Sequence, residues 1–262
     1  MRVELYRRGY CLLHKPVLSS KCGGGKRTKL VGKTSKASFR RFRAWCIRHD
    51  IDAECWGITL TVPGLDLLEI DFFKAMHHKL CVFCNCYRLP LVWRVELQER
   101  GQPHLHCVLF GSAESVVKLC AHWYKLLQDL PPVWNCETVG KDVNDLCLIS
   151  RAFVRGACHA IDMQRLSGDF RAWRYLVAHM SKRKQAQLGW PGRNWGVCNK
   201  KLFCCVEAES YEIEDHAFYM VRRWVRRLTR SKAFRGKAFL LGNPETIRKM
   251  LEYATRLQDV PF

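Results

Sequence analysis

Two histidines one residue apart, His104 and His106, lie in the stretch WRVELQERGQPHLHCVLF, Trp93 to Phe110. Strand-forming residues dominate that stretch, and on a strand residues i and i+2 project to the same face. The two imidazoles then stand side by side, as ligands of one metal ion must. The competing reading is a pair of half-exposed polar residues on a solvated sheet face, and the neighbours decide between the two. Alternation over Val92–Gln98 and the run His104–Phe110 predict two strands joined as a hairpin. With Arg100-Gly101-Gln102 as the loop and Gly101 supplying a positive φ, Gln98 falls opposite His104 and Glu96 opposite His106. A two-residue loop of Arg100-Gly101 would bring Glu99 and Leu97 there instead, leaving an apolar side chain among the ligands. The longer loop puts two imidazoles and the Glu96 carboxylate on one surface, with Gln98 the second candidate for third ligand. It also leaves room for substrate or water.

The elements that must position this hairpin are readable around it. ECWGITLTVPG, Glu54–Gly64, is rich in β-branched residues and reads as a strand stopped by Pro-Gly. A helix is expected from about Glu69 to Cys86, with Phe72, Met76, Leu80 and Phe83 on its core face, and another from about Glu114 to Leu127. Strands near Val133–Val139 and Leu146–Val154 are weaker expectations. In RAWRYLVAHMSKRKQ, Arg171–Gln185, the positions Trp173, Leu176, Val177 and Met180 make one apolar helix face. Tyr175, His179 and Lys182 fall almost opposite it. A tyrosine is ordinarily a packing residue; here the core stripe is already assigned, so Tyr175 is offered outward beside a histidine and a lysine.

The chain has 262 residues, 48% of them hydrophobic and 11% aromatic, which describes a globular protein with a sizeable core. Its net charge is +20, a surplus that calls for a polyanionic partner, with nucleic acid first and an anionic membrane second. No apolar run approaches the length of a transmembrane helix, and no signal-peptide core is expected at the N-terminus. Fifteen cysteines are an odd number, mostly inside apolar runs, and read as reduced thiols of a cytosolic or nuclear protein. CVFCNC, with Cys81, Cys84 and Cys86 after His77-His78, is the one zinc-like cluster, but a matching second ligand pair is missing apart from Cys204-Cys205.

Residues 1–34 are basic and carry KCGGGKRTKLVGKT, which fails the phosphate-loop pattern because Arg27 stands where its first glycine is required. They are expected to form a flexible arm. SKASFRRFRAWCIRHD predicts a helix with Phe39, Phe42 and Cys46 inward and Arg40, Arg41 and Arg43 outward. PGRNWGV, carrying Arg193, is a loop feeding a strand. DHAFYMVRRWVRRLTRSK predicts a helix with Phe218, Val221, Val225 and Leu228 inward. Arg222, Arg223, Arg226, Arg227 and Arg230 gather on another side as a candidate phosphate-contacting surface. KAFLLG and a capped helix, NPETIRKMLEYATRL, follow. The expected division is residues 1–34 as the arm, 35–205 as the catalytic domain and 206–262 as a basic helical extension packed on it.

Taken together these residues resemble the HUH endonucleases, the rolling-circle replication initiators of plasmids and of single-stranded DNA phages, and are most similar to those of filamentous phages. SKASFRRFRAW looks like the N-terminal helix, ITLTVPG like the first strand motif, VELQERGQPHLH like the metal motif, RYLVAHMSK like the tyrosine motif, and GRNWGV with the arginine helix like the C-terminal part. The likeness spans roughly residues 35–235. It implies an α+β fold, a central antiparallel sheet flanked by helices with a ferredoxin-like palm. It implies Mg²⁺ or Mn²⁺ on His104, His106 and a polar third ligand. It further implies Tyr175 as nucleophile, forming a 5′-phosphotyrosine and a free 3′-OH, with His179 or Lys182 assisting. The implied partners are single-stranded DNA at an origin hairpin, a host helicase and a polymerase, in the cytoplasm of a bacterial host, with a homo-oligomer at the origin a further option. The pattern Tyr-x-x-Lys-Tyr-x-x-Lys common in related proteins is altered, with Ala178 at the first lysine and His179 at the second tyrosine; Lys182 is retained. Two other readings compete: a non-catalytic, zinc-stabilised DNA-binding regulator, and an HUH transposase or relaxase.

Overall fold

The computed structural model describes residues 1–7, 9–13, 36–62, 70–97, 103–128, 161–166, 173, 175, 193–229 and 238–256. They fall in two compact units, one built within Met1–Arg27, Lys36–Asp50 and Cys204–Phe262, the other within Ile51–Phe203.

In the second unit, β4 (Cys55–Thr61), β5 (Leu91–Leu97), β6 (Pro103–Phe110), β7 (Ile161–Arg165) and β8 (Trp195–Cys198) form a five-stranded sheet in the order β7-β4-β6-β5-β8. Every pairing is antiparallel. β6 is the middle strand, and all eight of its residues are buried. Side-chain alternation sends Leu105, Cys107 and Leu109 to one face, joined by Ile58 and Leu60 of β4 and by Leu91, Trp93 and Val95 of β5. Two helices cover that face, α2 (Ile70–Cys86) and α3 (Ala113–Gln128). α2 contributes Phe73, Met76, Leu80 and Cys84, and α3 contributes Val116, Leu119, Cys120, Trp123 and Leu127. Helical spacing thus meets strand spacing over one apolar layer, with each large buried side chain worth about 1.5–3 kcal/mol. The expected face of α2 is corrected by one residue: Phe72 and Phe83 are only partly buried, and Phe73 and Cys84 take the interior positions. The Asn199 side-chain amide donates to the carbonyls of Cys84 in α2 and of Leu89 just beyond it, both at 2.8 Å, tying the end of the helix to the segment after β8.

The strand β7 answers no sequence expectation. Its residues IDMQR are mostly exposed, and it pairs only at the sheet edge, with β4. The strands expected near Val133–Val139 and Leu146–Val154 lie outside the described residues.

The first unit holds a four-stranded antiparallel sheet, β10-β1-β2-β11, of β1 (Arg2–Tyr6), β2 (Gly9–Leu13), β10 (Glu209–Glu212) and β11 (Ala238–Leu241). Val3, Leu5, Tyr10 and Leu12 pack with Phe218, Val221 and Val225 of α4 (Asp215–Thr229) and with Ile247 and Leu251 of α5 (Pro244–Arg256). Residues 2–13 are therefore not a flexible arm: the apolar halves of RVELY and GYCLL fill a core that outweighs the basic composition around them. The division of the chain differs accordingly from 1–34, 35–205 and 206–262, since its beginning pairs with its last strands. The short pair β3 (His49–Asp50) and β9 (Cys204–Cys205) belongs to this unit, as does α1 (Lys36–Arg48).

The protein is thus mixed α and β, with a central antiparallel sheet flanked by helices. Among the described residues, no helix is long and apolar enough to cross a membrane.

Candidate metal centre

The second face of the five-stranded sheet carries the polar residues. β5 pairs with β6 so that Glu96 lies opposite His104 and Arg94 opposite His106. The expected register, with Glu96 opposite His106, is therefore two residues out. A shift of two keeps every side chain on its face, so Glu96 still joins the histidines. Gln98, the other candidate ligand, lies outside the described residues.

The three groups converge. The Nε2 atoms of His104 and His106 are 2.7 Å apart, and Glu96 Oε2 lies 2.9 Å from His106 Nε2 and 4.0 Å from His104 Nε2. Among the described residues they form the one group of three or more His, Cys, Asp or Glu side chains able to share a cation. Donors sharing an ion at roughly 2.1 Å stand about 3–3.5 Å apart, and the two closest pairs here, at 2.7 and 2.9 Å, fall just below that range. All three residues are buried, with His104 8% and His106 5% exposed, which disposes of the solvated-face alternative. Two imidazole nitrogens facing each other at 2.7 Å need a proton or a metal ion between them, since two bare lone pairs would repel. The donor set fits a divalent metal; it does not by itself say which.

Thr59 of β4, opposite His106 in the sheet, supplies the outer support. Its Oγ1 is 3.2 Å from His106 Nδ1 and 3.1 Å from the Tyr175 hydroxyl. With Nε2 of His106 turned to the ion, the remaining Nδ1–H donates to Thr59, which fixes the tautomer. The Thr59 hydroxyl is then left to donate to the phenol oxygen of Tyr175.

Tyr175 is half-buried on the same face, its hydroxyl 3.3 Å from His106 Nδ1. The structure places it against the sheet rather than outward into solvent. Gly57 makes the room: a β-carbon there would stand 3.4 Å from the ring carbons Cε2 and Cζ of Tyr175 and 3.3 Å from Leu166 Cδ1. Trp173, fully buried, packs on Phe110 at 5.4 Å between ring centroids and anchors the segment that carries Tyr175. Burial pushes the Tyr175 phenol up to about 12, the hydrogen bond from Thr59 works against that, and Cys107, Asp162 and Glu96 add to it. A phenol so placed needs help to ionise. His179 and Lys182, the assistants expected from sequence, lie outside the described residues.

Arg94 was not among the expected site residues. It is fully buried, and burial lowers its guanidinium to about 10 against the opposing pull of Glu96. The signal was in the alternation itself, since Arg94 and Glu96 are two apart on one strand. The expected register paired Arg94 with Val108 and so hid it.

The candidate DNA-contacting arginines divide. Arg40, Arg41, Arg193, Arg223, Arg226 and Arg227 are exposed, and Arg222 is half-exposed. Arg43 corrects the outward assignment: it is half-buried, with its guanidinium carbon 4.3 Å from the centroid of the Phe39 ring. Leu228, expected inward, is 60% exposed because Phe218, Val221 and Val225 already complete the buried stripe of α4. Arg230 lies outside the described residues.

Every cysteine among the described residues is a free thiol. Cys81 touches His77 Nε2 at 3.4 Å, Cys84 is in the core and Cys86 is exposed, so these three do not converge on one point. Set beside protein-family models, curated proteins and solved structures, the chain matches none of them.

Proposed function

We propose that this protein is a metal-dependent tyrosine endonuclease of the HUH type, nicking single-stranded DNA at an origin of rolling-circle replication. The observation that carries the reading is the single hydrogen-bonded run from Glu96 and His104 through His106 and Thr59 to the Tyr175 hydroxyl. Few other chemistries need a phenol held against a metal ligand in a protein of net charge +20.

Glu96, His104 and His106 would hold the ion, Mg²⁺ or Mn²⁺ by the family resemblance. When bound, it supplies Lewis-acid polarisation of the scissile phosphate. The chain does the rest. Tyr175 Oη attacks phosphorus; the Oη–P bond forms as the P–O3′ bond breaks, and the electron pair leaves on the 3′ oxygen, which takes a proton from water. The phenol proton passes to solvent, while the Thr59 hydroxyl donates to Oη and stabilises the developing phenolate. The products are a 5′-phosphotyrosine and a 3′-OH that a polymerase can extend. The phosphotyrosine keeps the bond energy for rejoining.

The zinc-stabilised regulator loses support from the geometry, since Cys81 and Cys84 turn toward Cys198 while Cys86 is exposed, so the three do not share one ion. Transposase and relaxase variants share the chemistry and differ in the DNA they act on.

The test is a nicking reaction on circular single-stranded DNA from the same replicon, with Mn²⁺ or with EDTA. Wild type should give a protein–DNA adduct on a denaturing gel, and EDTA should abolish it. Tyr175→Phe should lose the adduct while its melting temperature stays within a few degrees of wild type. An adduct that persists in Tyr175→Phe would move the nucleophile elsewhere; tight binding with no adduct in wild type would favour the regulator.

A further inference from the structure

Arg94 has no place in the chemistry described so far. It is 0% exposed, and none of its three guanidinium nitrogens has a hydrogen-bond partner. Strand alternation puts it on the metal-binding face, two residues before Glu96 and directly opposite His106. On its other side it lies opposite Trp195 of β8. Burying a charged group without hydrogen-bond partners costs free energy, which the pull of Glu96 offsets only in part. A methionine or leucine would fill the same volume without that cost. Glu96 acts on Arg94 through charge alone and gives it no hydrogen bond, its carboxylate lying 2.9 Å from His106 Nε2.

The charge balance points the same way. Among the described residues, a divalent ion and one guanidinium face the buried Glu96 carboxylate and two neutral imidazoles, with the exposed Asp162 further out opposite Thr59, so the loaded site still carries excess positive charge. Such a site is completed by an anion with several oxygens. A guanidinium offers a planar fork of N–H donors suited to two oxygens of a phosphate.

We propose that Arg94 is the anion-receiving group of this site, taking a non-bridging phosphate oxygen while the metal held by Glu96, His104 and His106 takes another. It rests on the reading of those three residues as a metal-bound phosphodiester site, but not on which group attacks. The metal offsets Glu96, the buried carboxylate beside the anion, so phosphate binding should require the metal.

The experiment uses inorganic phosphate as the probe, because the exposed arginines would mask the contribution of one residue in any DNA-binding measurement. The full chain is loaded with Mn²⁺, its stoichiometry is read by electron paramagnetic resonance, and phosphate is titrated while its ³¹P line broadening is followed. Wild type should bind phosphate saturably. Arg94→Met should hold Mn²⁺ in the same stoichiometry and lose at least tenfold in phosphate affinity. Arg94→Lys, which keeps the charge and loses the fork, should fall between them, and it serves as the test should Arg94→Met fail to fold. Three results would overturn the proposal: phosphate affinity unchanged in the Arg94 variants, Mn²⁺ binding lost together with phosphate, or a Mn²⁺-loaded wild type that takes no phosphate. The nicking reading stands or falls separately on the Tyr175→Phe adduct, which this titration does not measure.

Discussion

The two faces of the five-stranded sheet are made by the same strands from alternate residues, and they are unlike in every respect that matters for function. One presents Ile58, Leu60, Leu105, Cys107 and Leu109 to α2 and α3, and stability there is a matter of filled volume. The other presents Thr59, Arg94, Glu96, His104 and His106, all but Thr59 buried as well. On the apolar face one hydrophobic residue can replace another of similar size. On the polar face each buried group needs a particular partner, so the identity of each residue is constrained. A strand buried on both sides thus separates what holds the fold from what does chemistry, one residue apart.

Leu105 and His106 are adjacent in β6 and belong to opposite faces, so they sharpen the contrast most. His106→Ala should have the largest effect: stoichiometric Mn²⁺ binding should vanish, read by isothermal titration, while the melting temperature falls less than in the Leu105 variant. Leu105→Ala should reverse the pattern. It should cost about 2–5 kcal/mol in denaturant unfolding, and the folded molecules should bind Mn²⁺ within a few fold of wild type. Equal damage to both properties in either variant would break the separation of the faces. The smallest effect is expected at Thr59, which touches a ligand without being one. Thr59→Val keeps the shape and removes the hydroxyl, and outer-shell changes of that kind lower metal affinity about tenfold. Adduct formation should slow further than metal affinity alone explains, because Tyr175 loses its donor at the same time.

Much of this arrangement was legible in the sequence, and the failures have physical reasons. Alternation in β4, β5 and β6 and the helical stripes of α2 and α3 are local patterns, and each survived to within a residue or two. The shared face of Glu96, His104 and His106 was legible even though the register was not, because a slip of two residues leaves parity untouched. Arg94 was missed through that slip. Thr59 was quoted within ITLT but not as a site residue, since its place beside His106 depends on a pairing across 47 positions that no local pattern encodes. The strand β7 is polar because it is an edge, and β1 and β2 resemble an arm in sequence because basic composition outweighs their short apolar runs.

The spacing of the site along the chain has a consequence in time. Glu96, His104 and His106 belong to one hairpin, and their sheet neighbour Thr59 precedes them, so all four have been synthesised by residue 106. Tyr175 arrives 69 residues after His106, and its contact with Thr59 closes a loop of 116. Closing so long a loop carries an entropy cost that the hairpin escapes. On the proposed reading, a chain emerging from the ribosome possesses Glu96, His104 and His106 well before it possesses the tyrosine proposed to cut, so the nascent protein would be born disarmed.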